Sequence, residues 1–154
     1  MRELRRKDRA ITDDEAMAIL NNTEYGVLST VSPDGKPYGV PLSFCIIDKS
    51  IYFHCAIEGQ KIDNIDKNKS VSFCAVGKTE ILPDKFGTKY ESVIVLGEVE
   101  EIFDDNKQIA LEGMLKKYSS NYFEQGLEYA KTLKTKTRVF KINIIHLSGK
   151  ARRK

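Results

Sequence analysis

The sequence predicts a mainly β protein, a small barrel with appended helices. Three observations predict it. Six segments carry strand-like apolar patterning, most of them in meander order. Turn residues such as Ser32-Pro33-Asp34-Gly35 and Asp48-Lys49-Ser50 separate the early ones at hairpin distances. Helical periodicity is confined to short stretches near the start, after the third strand and before the last. At 154 residues the chain suits one domain, residues 1–154, large enough to bury its core without disulfides or metals.

Thr12-Asp13-Asp14-Glu15 has the form of a capping box, and Ala16, Ile19 and Leu20 then form one apolar stripe before Asn21-Asn22. Tyr25 to Val31 reads as a strand and Tyr38 to Ile47 as its return, making a hairpin. Ile51 to Cys55 follows as a third strand, antiparallel to the second. Gln60 to Asn68 is a short helix with Ile62 and Ile65 facing inward. Ser70 to Val76 is a strand of ambiguous register, since Val71, Phe73 and Ala75 alternate but Cys74 and Val76 are apolar too.

Gly77 to Lys89, with Pro83 and Gly87, reads as a loop. Tyr90 to Phe103 is a long strand whose run Val93-Ile94-Val95-Leu96 predicts burial on both faces at first, one face being wet later. Residues 105–118 and 121–133 are helical, with a capping serine or asparagine between them. Arg138 to Leu147 closes the chain as a strand, and Lys150 to Lys154 reads as a solvated tail.

Composition excludes several classes. Residues 1–9 carry five basic and two acidic groups and residues 150–154 four basic groups, so the body keeps 16 basic against 20 acidic residues. An acidic body without a basic, aromatic-interleaved stripe argues against a nucleic-acid module. No stretch approaches the ~20 apolar residues of a membrane helix. Cys45, Cys55 and Cys74 are odd in number, lie in strand-like runs and form no C-x-x-C pair. They read as reduced core cysteines of a cytoplasmic protein, with no metal site.

The segment from Tyr52 to Lys61 is the most informative for function. A strand ends on His54, and a turn broken by Gly59 delivers Gln60 and Lys61 to a helix start. Unpaired amides, the positive end of a helix dipole and one ammonium together hold a phosphate. A solvated lysine is the ordinary alternative, but a cation at a helix start is unfavourable unless an anion lies nearby. His54 is either a ligand contact and proton donor or a satisfied strand-end histidine. His146 reads as structural. Tyr38 and Tyr90 are candidates for ring stacking, although tyrosines in barrel strands mostly pack.

Five motifs in fixed order carry a resemblance. They are Tyr25-Gly26-Val27-Leu28-Ser29-Thr30, the run from Pro33 to Ser43, the segment from His54 to Lys61, Tyr90-Glu91-Ser92-Val93, and Gly149-Lys150-Ala151-Arg152. Together, over residues 4–153, they resemble the pyridoxamine 5′-phosphate oxidase-like flavin-binding split barrels. Within these the chain is most similar to the 5-nitroimidazole resistance branch.

The resemblance implies a homodimeric FMN-binding split barrel with FMN between the subunits. It places the backbone of Val40, Pro41, Leu42 and Ser43 along the ring edge, Phe53 and His54 beside the ligand, Gln60 and Lys61 at the phosphate, and Ser92 on the flavin. It also makes Lys150, Arg152 and Arg153 candidates for phosphate contact across the dimer. Gln60 stands where the oxidases have an arginine and Ser43 where they have a basic residue, so this chain holds at least two fewer charges near the ligand. Pyridoxamine phosphate oxidation is therefore disfavoured.

The residues themselves fit a flavin. FMN needs a dianion clamp, an apolar slot and a few strand-edge polar groups, all of which the chain offers. No glycine-rich nucleotide fingerprint, H-E-x-x-H or nucleophile elbow competes with it. Three readings stay open: an FMN-dependent oxidoreductase taking electrons from NAD(P)H or another reductant to a small nitroaromatic or similar substrate, a flavin-binding or flavin-sensing protein without turnover, and a split barrel given over to haem or another ligand.

Overall fold

Thr12 opens the first helix by the reciprocal cap its sequence predicts: Glu15 N–H donates to Thr12 Oγ1 at 3.2 Å and Thr12 N–H donates to Glu15 Oε2 at 3.0 Å. This is seen in a computed structural model that describes residues 3–154; Met1 and Arg2, part of the basic N-terminal run, lie outside the described residues. Helix α1 spans Asp13–Asn22 and buries Ala16, Ile19 and Leu20.

The strands are β1 (Ala10–Ile11), β2 (Gly26–Val31), β3 (Pro37–Leu42), β4 (Cys45–Ile47), β5 (Ser50–Cys55), β6 (Ser70–Leu82), β7 (Gly87–Ile102) and β8 (Arg138–Arg152). Helix α2 is Gln60–Lys67, α3 is Asp104–Tyr118 and α4 is Phe123–Thr132. All pairings are antiparallel, in the order β3-β2-β6-β7-β8-β5-β4, with β1 on β8. The two ends of this order, β3 and β4, are consecutive in the chain, so the sheet curls almost closed and splits at Ser43 and Phe44.

Period-two patterning fills the interior. Leu28, Phe53, Phe73, Val93, Val95, Phe140 and Ile142 are all fully buried. Phe53 stacks on Phe140 with ring centroids 5.4 Å apart, and Phe44 meets Phe73 edge-on at 4.8 Å. Helix α1 covers one end against β6, β7 and β8, α2 plugs the other against β2, and α3 lies over β4 and β5. Val71, Phe73 and Ala75 settle the register of β6 by pointing inward.

Five expectations need correction. The strand from Tyr38 to Ile47 is two strands, because the chain must leave β2 and cross to β5, and Phe44 buries its ring at the crossing. The loop from Gly77 to Lys89 is a continuation of the β6–β7 ribbon past a register shift between Val76 and Thr79, turning at Pro83–Lys85. The tail from Lys150 is strand as far as Arg152, since β8 pairs with β7 through Tyr90↔Arg152 and with β1 through Ala10↔Lys150. No side chain caps the start of α4, which is led in by a 3-10 turn over Ser120–Tyr122.

Burial of both faces of the Val93–Leu96 run is also not met: Val93 and Val95 face the core, but Ile94 is 43% exposed. No helix among the described residues is long and apolar enough to cross a membrane. No group of three or more potential metal-ligating side chains occurs among them.

Candidate functional site

Gly59 shapes the start of α2. Its φ of 128° belongs to glycine, and its carbonyl accepts from Ile62 N–H at 2.8 Å and Asp63 N–H at 3.1 Å. No side chain caps this end, and the amides of Gln60 and Lys61 have no partner among the described residues. Lys61 is half-buried and makes no ion pair among the described residues. Arg138, at the other end of the helix, is by contrast fully engaged: it binds Asp66 and Glu101 at 3.0 and 2.6 Å. The α2 start therefore offers two amides, a dipole end and one free ammonium.

His54 is next to last in β5, which runs on to Cys55, and it lies exposed on the face opposite the core-facing Ile51 and Phe53. Its pKa lies below the ordinary 6.5, first because packing desolvates the ring and second because of the charge on Lys61. The same lysine charge acts on the Cys55 thiol, against a larger desolvation that pushes that thiol up. His54, Cys55 and Lys61 thus form one neighbourhood. Phe53 is fully buried and stacks on Phe140, so its side chain belongs to the core rather than to this surface.

Strand β3 is an edge strand, paired only with β2. Pro37 and Pro41 lack N–H groups and occupy alternate positions, so their parity faces away from β2. The free edge then presents the Pro41 carbonyl and the groups of Gly39, while Val40 and Leu42 pack on the core. Ser43 is exposed at the split and lines a cleft of about 580 Å³ with Tyr25, Lys117 and Tyr118.

Ser92 does not join them in one chain. It pairs with Val76 and Lys150 at the α1 end of the barrel, whereas His54 pairs with Val139, which pairs with Ile102, ten residues further along β7. At ~3.3 Å per residue the separation along the strand is about 30 Å. A wide cleft of about 790 Å³ near Ser92 is lined by Ile19, Tyr25, Val76, Glu91 and Arg153, again far from Lys61. Arg153 is held there by Glu15 and Glu91 at 2.7 and 3.0 Å. Tyr90 receives an N–H from Arg9 at 3.4 Å, a packing role, and Tyr38 stands on β3 beside Thr30.

A family model described as pyridoxamine 5′-phosphate oxidase matches residues 12–151. The chain belongs to the pyridoxamine 5′-phosphate oxidase family. Solved structures share its fold. A candidate 5-nitroimidazole antibiotic resistance protein of Bacteroides thetaiotaomicron superposes with a TM-score of 0.75 at 22% identity, over 92% of this chain and 85% of that one. An FAD-binding protein of Mesorhizobium loti gives 0.65 at 24%, over 94% and 97%. The haem storage protein HutZ of Vibrio cholerae gives 0.66 at 12%, over 88% and 92%. No curated protein matches this chain.

In this member of the pyridoxamine 5′-phosphate oxidase family, three residues around the site escape sequence reasoning. Asn64 and Thr30 are fully buried polar residues at the α2 end, and Tyr118 reaches from α3 to the barrel split. Asn64 carries a signal, a polar residue between Ile62 and Ile65 on the buried stripe of α2. Tyr118 carries none, because its partners lie 74 and 94 positions away in the chain.

Proposed function

We propose that the protein binds FMN in a homodimer and passes reducing equivalents from NAD(P)H or another reductant to a small acceptor, a nitroaromatic compound of the 5-nitroimidazole type. The observation that carries this reading is Lys61: a half-buried cation without a carboxylate partner among the described residues, at a helix start with two free amides. A flavin phosphate relieves that arrangement, and the free edge of β3 supplies polar groups for the ring.

The second copy is needed because Ser92 and Lys61 lie at opposite ends of one barrel. An outer face with Val76 53% and Ile94 43% exposed, next to partly covered Val27 and Leu96, supports burial of that face against a partner. Bound flavin would carry electrons between donor and acceptor. His54, neutral near pH 7 because its pKa is lowered, would donate one N–H to flavin or acceptor; its use as a proton source would grow as pH falls. Three free cysteines agree with a reducing, cytoplasmic setting.

The test is the visible spectrum of the protein reconstituted with FMN, followed by NAD(P)H and then a nitroimidazole under anaerobic conditions. Bleaching by the nicotinamide and recovery on adding the nitro compound would support the reading. Bound flavin that never turns over would reduce it to a flavin-binding protein. Uptake of haem in place of flavin would overturn it.

A further inference from the structure

Helix α2 buries an amide where its neighbours bury hydrocarbon. Ile62 and Ile65 pack inward at 4% and 0% exposure, and Asn64, on the same buried face, is also at 0%. A buried primary amide costs stability unless its groups are paired. Gln60 Nε2 donates to Asn64 Oδ1 at 2.8 Å, Asn64 Nδ2 donates to Thr30 Oγ1 at 2.9 Å, and Thr30 Oγ1 donates to the Tyr38 carbonyl at 3.4 Å. Thr30 is itself fully buried.

The chain has a fixed direction. The Tyr38 carbonyl can only accept, so Thr30 spends its single proton there and its oxygen receives from Asn64. Asn64 must then turn its amide nitrogen to Thr30 and its oxygen to Gln60. Gln60 in turn presents Nε2 to Asn64, which leaves its second Nε2–H as a donor at the helix start beside Lys61. Hydrogen bonds aligned in one sense polarise one another.

We propose that Asn64, backed by Thr30, is a positioning residue that holds Gln60 as a neutral hydrogen-bond donor for the anionic group of the ligand. The site thereby answers with a fixed amide for a cation it lacks, and the same relay ties the helix start to β3, the strand proposed to meet the ring edge. The proposal rests on the FMN reading for its ligand, but the relay itself is a property of the protein alone.

Thr30→Val removes the hydroxyl at constant shape and touches neither Gln60 nor ligand, and Thr30→Ser restores it. FMN and riboflavin, which lacks the phosphate, are titrated against each variant. Thr30→Val is expected to weaken FMN about three- to tenfold, the worth of one neutral hydrogen bond, with riboflavin unchanged and Thr30→Ser near wild type. Equal loss for both ligands, or none for FMN, would overturn the positioning role.

The Gln60 side-chain amide is followed by NMR in the same proteins without ligand. Thr30→Val is expected to shift its ¹⁵N–¹H signals and speed their exchange, with Thr30→Ser near wild type; unchanged signals would overturn the relay. If wild type binds neither ligand, the FMN reading fails and the amide signals still decide the relay.

Discussion

The hydroxyl of Tyr118 accepts the N–H of Phe44 at 3.0 Å and lies 2.8 Å from the carbonyl of the same residue. It also stands 2.5 Å from the Glu24 carbonyl, so one phenol on α3 joins the start of β2 to the split where β3 gives way to β4. Lys117 adds its ammonium 3.9 Å from the centroid of the Phe44 ring. The backbone at Ser43, exposed beside the split, is held from outside the barrel by these two residues.

Tyr118→Phe is therefore expected to cost about 1 to 2 kcal/mol, because it leaves buried backbone groups of Phe44 without their partner. Urea denaturation with an unchanged m-value measures it. A variant as stable as wild type would show that water replaces the phenol.

Lys61→Ala is expected to weaken FMN by about 1.5 to 3 kcal/mol, the worth of a charge-assisted hydrogen bond, and His54→Ala by less. Fluorescence titration of both variants gives the order. Equal affinities of wild type and the Lys61 variant would remove the phosphate from the start of α2.

The imidazole of His54 is expected to titrate below 6.5 in the folded protein, through desolvation and then the Lys61 charge. Its unfolded form then binds more protons as pH falls below about 6.5, so its contribution to stability is present above that pH and is lost through the window down to its folded pKa. An NMR titration reads it directly. Lys61→Ala or saturating FMN should raise the value, since each removes or neutralises the same charge; no change in either case would separate His54 from the anion site.

Ile94→Glu places a carboxylate on the bare outer face of β7, opposite Cys74 and Ser148. It is expected to give a folded monomer with at least a tenfold loss of FMN affinity, about 1.4 kcal/mol or more. Sedimentation and flavin absorbance together check this. A monomeric variant that keeps its flavin would place the whole site in one chain.

Local signals were readable where one residue pattern decided one element. The Thr12–Glu15 box and the stripe of α2 needed nothing beyond the segment itself, whereas the register of β6 stayed open in the segment because Cys74 and Val76 are apolar too, and only pairing with β7 turns Val71, Phe73 and Ala75 inward. The break at Phe44 was hidden because Tyr38 to Ile47 alternates without a gap, and only closure of the sheet forces the chain to change partners there. Pro83 and Gly87 suggested a loop, yet ladder pairing from Thr79↔Tyr90 to Leu82↔Gly87 carries the ribbon to its turn. The glycine break and the start of α2 at Gln60 and Lys61 were legible in the sequence. The Asn64 relay was not, since Thr30 and Asn64 are 34 positions apart and meet only when α2 plugs the barrel.

Native mass spectrometry of the protein incubated with FMN tests the central claim most directly, since it reads assembly and cofactor in one spectrum. The account predicts a dimer of the 17.5 kDa chain carrying two FMN, with the flavin lost from Lys61→Ala before the dimer is. A monomer, a flavin-free dimer or a haem adduct would contradict it.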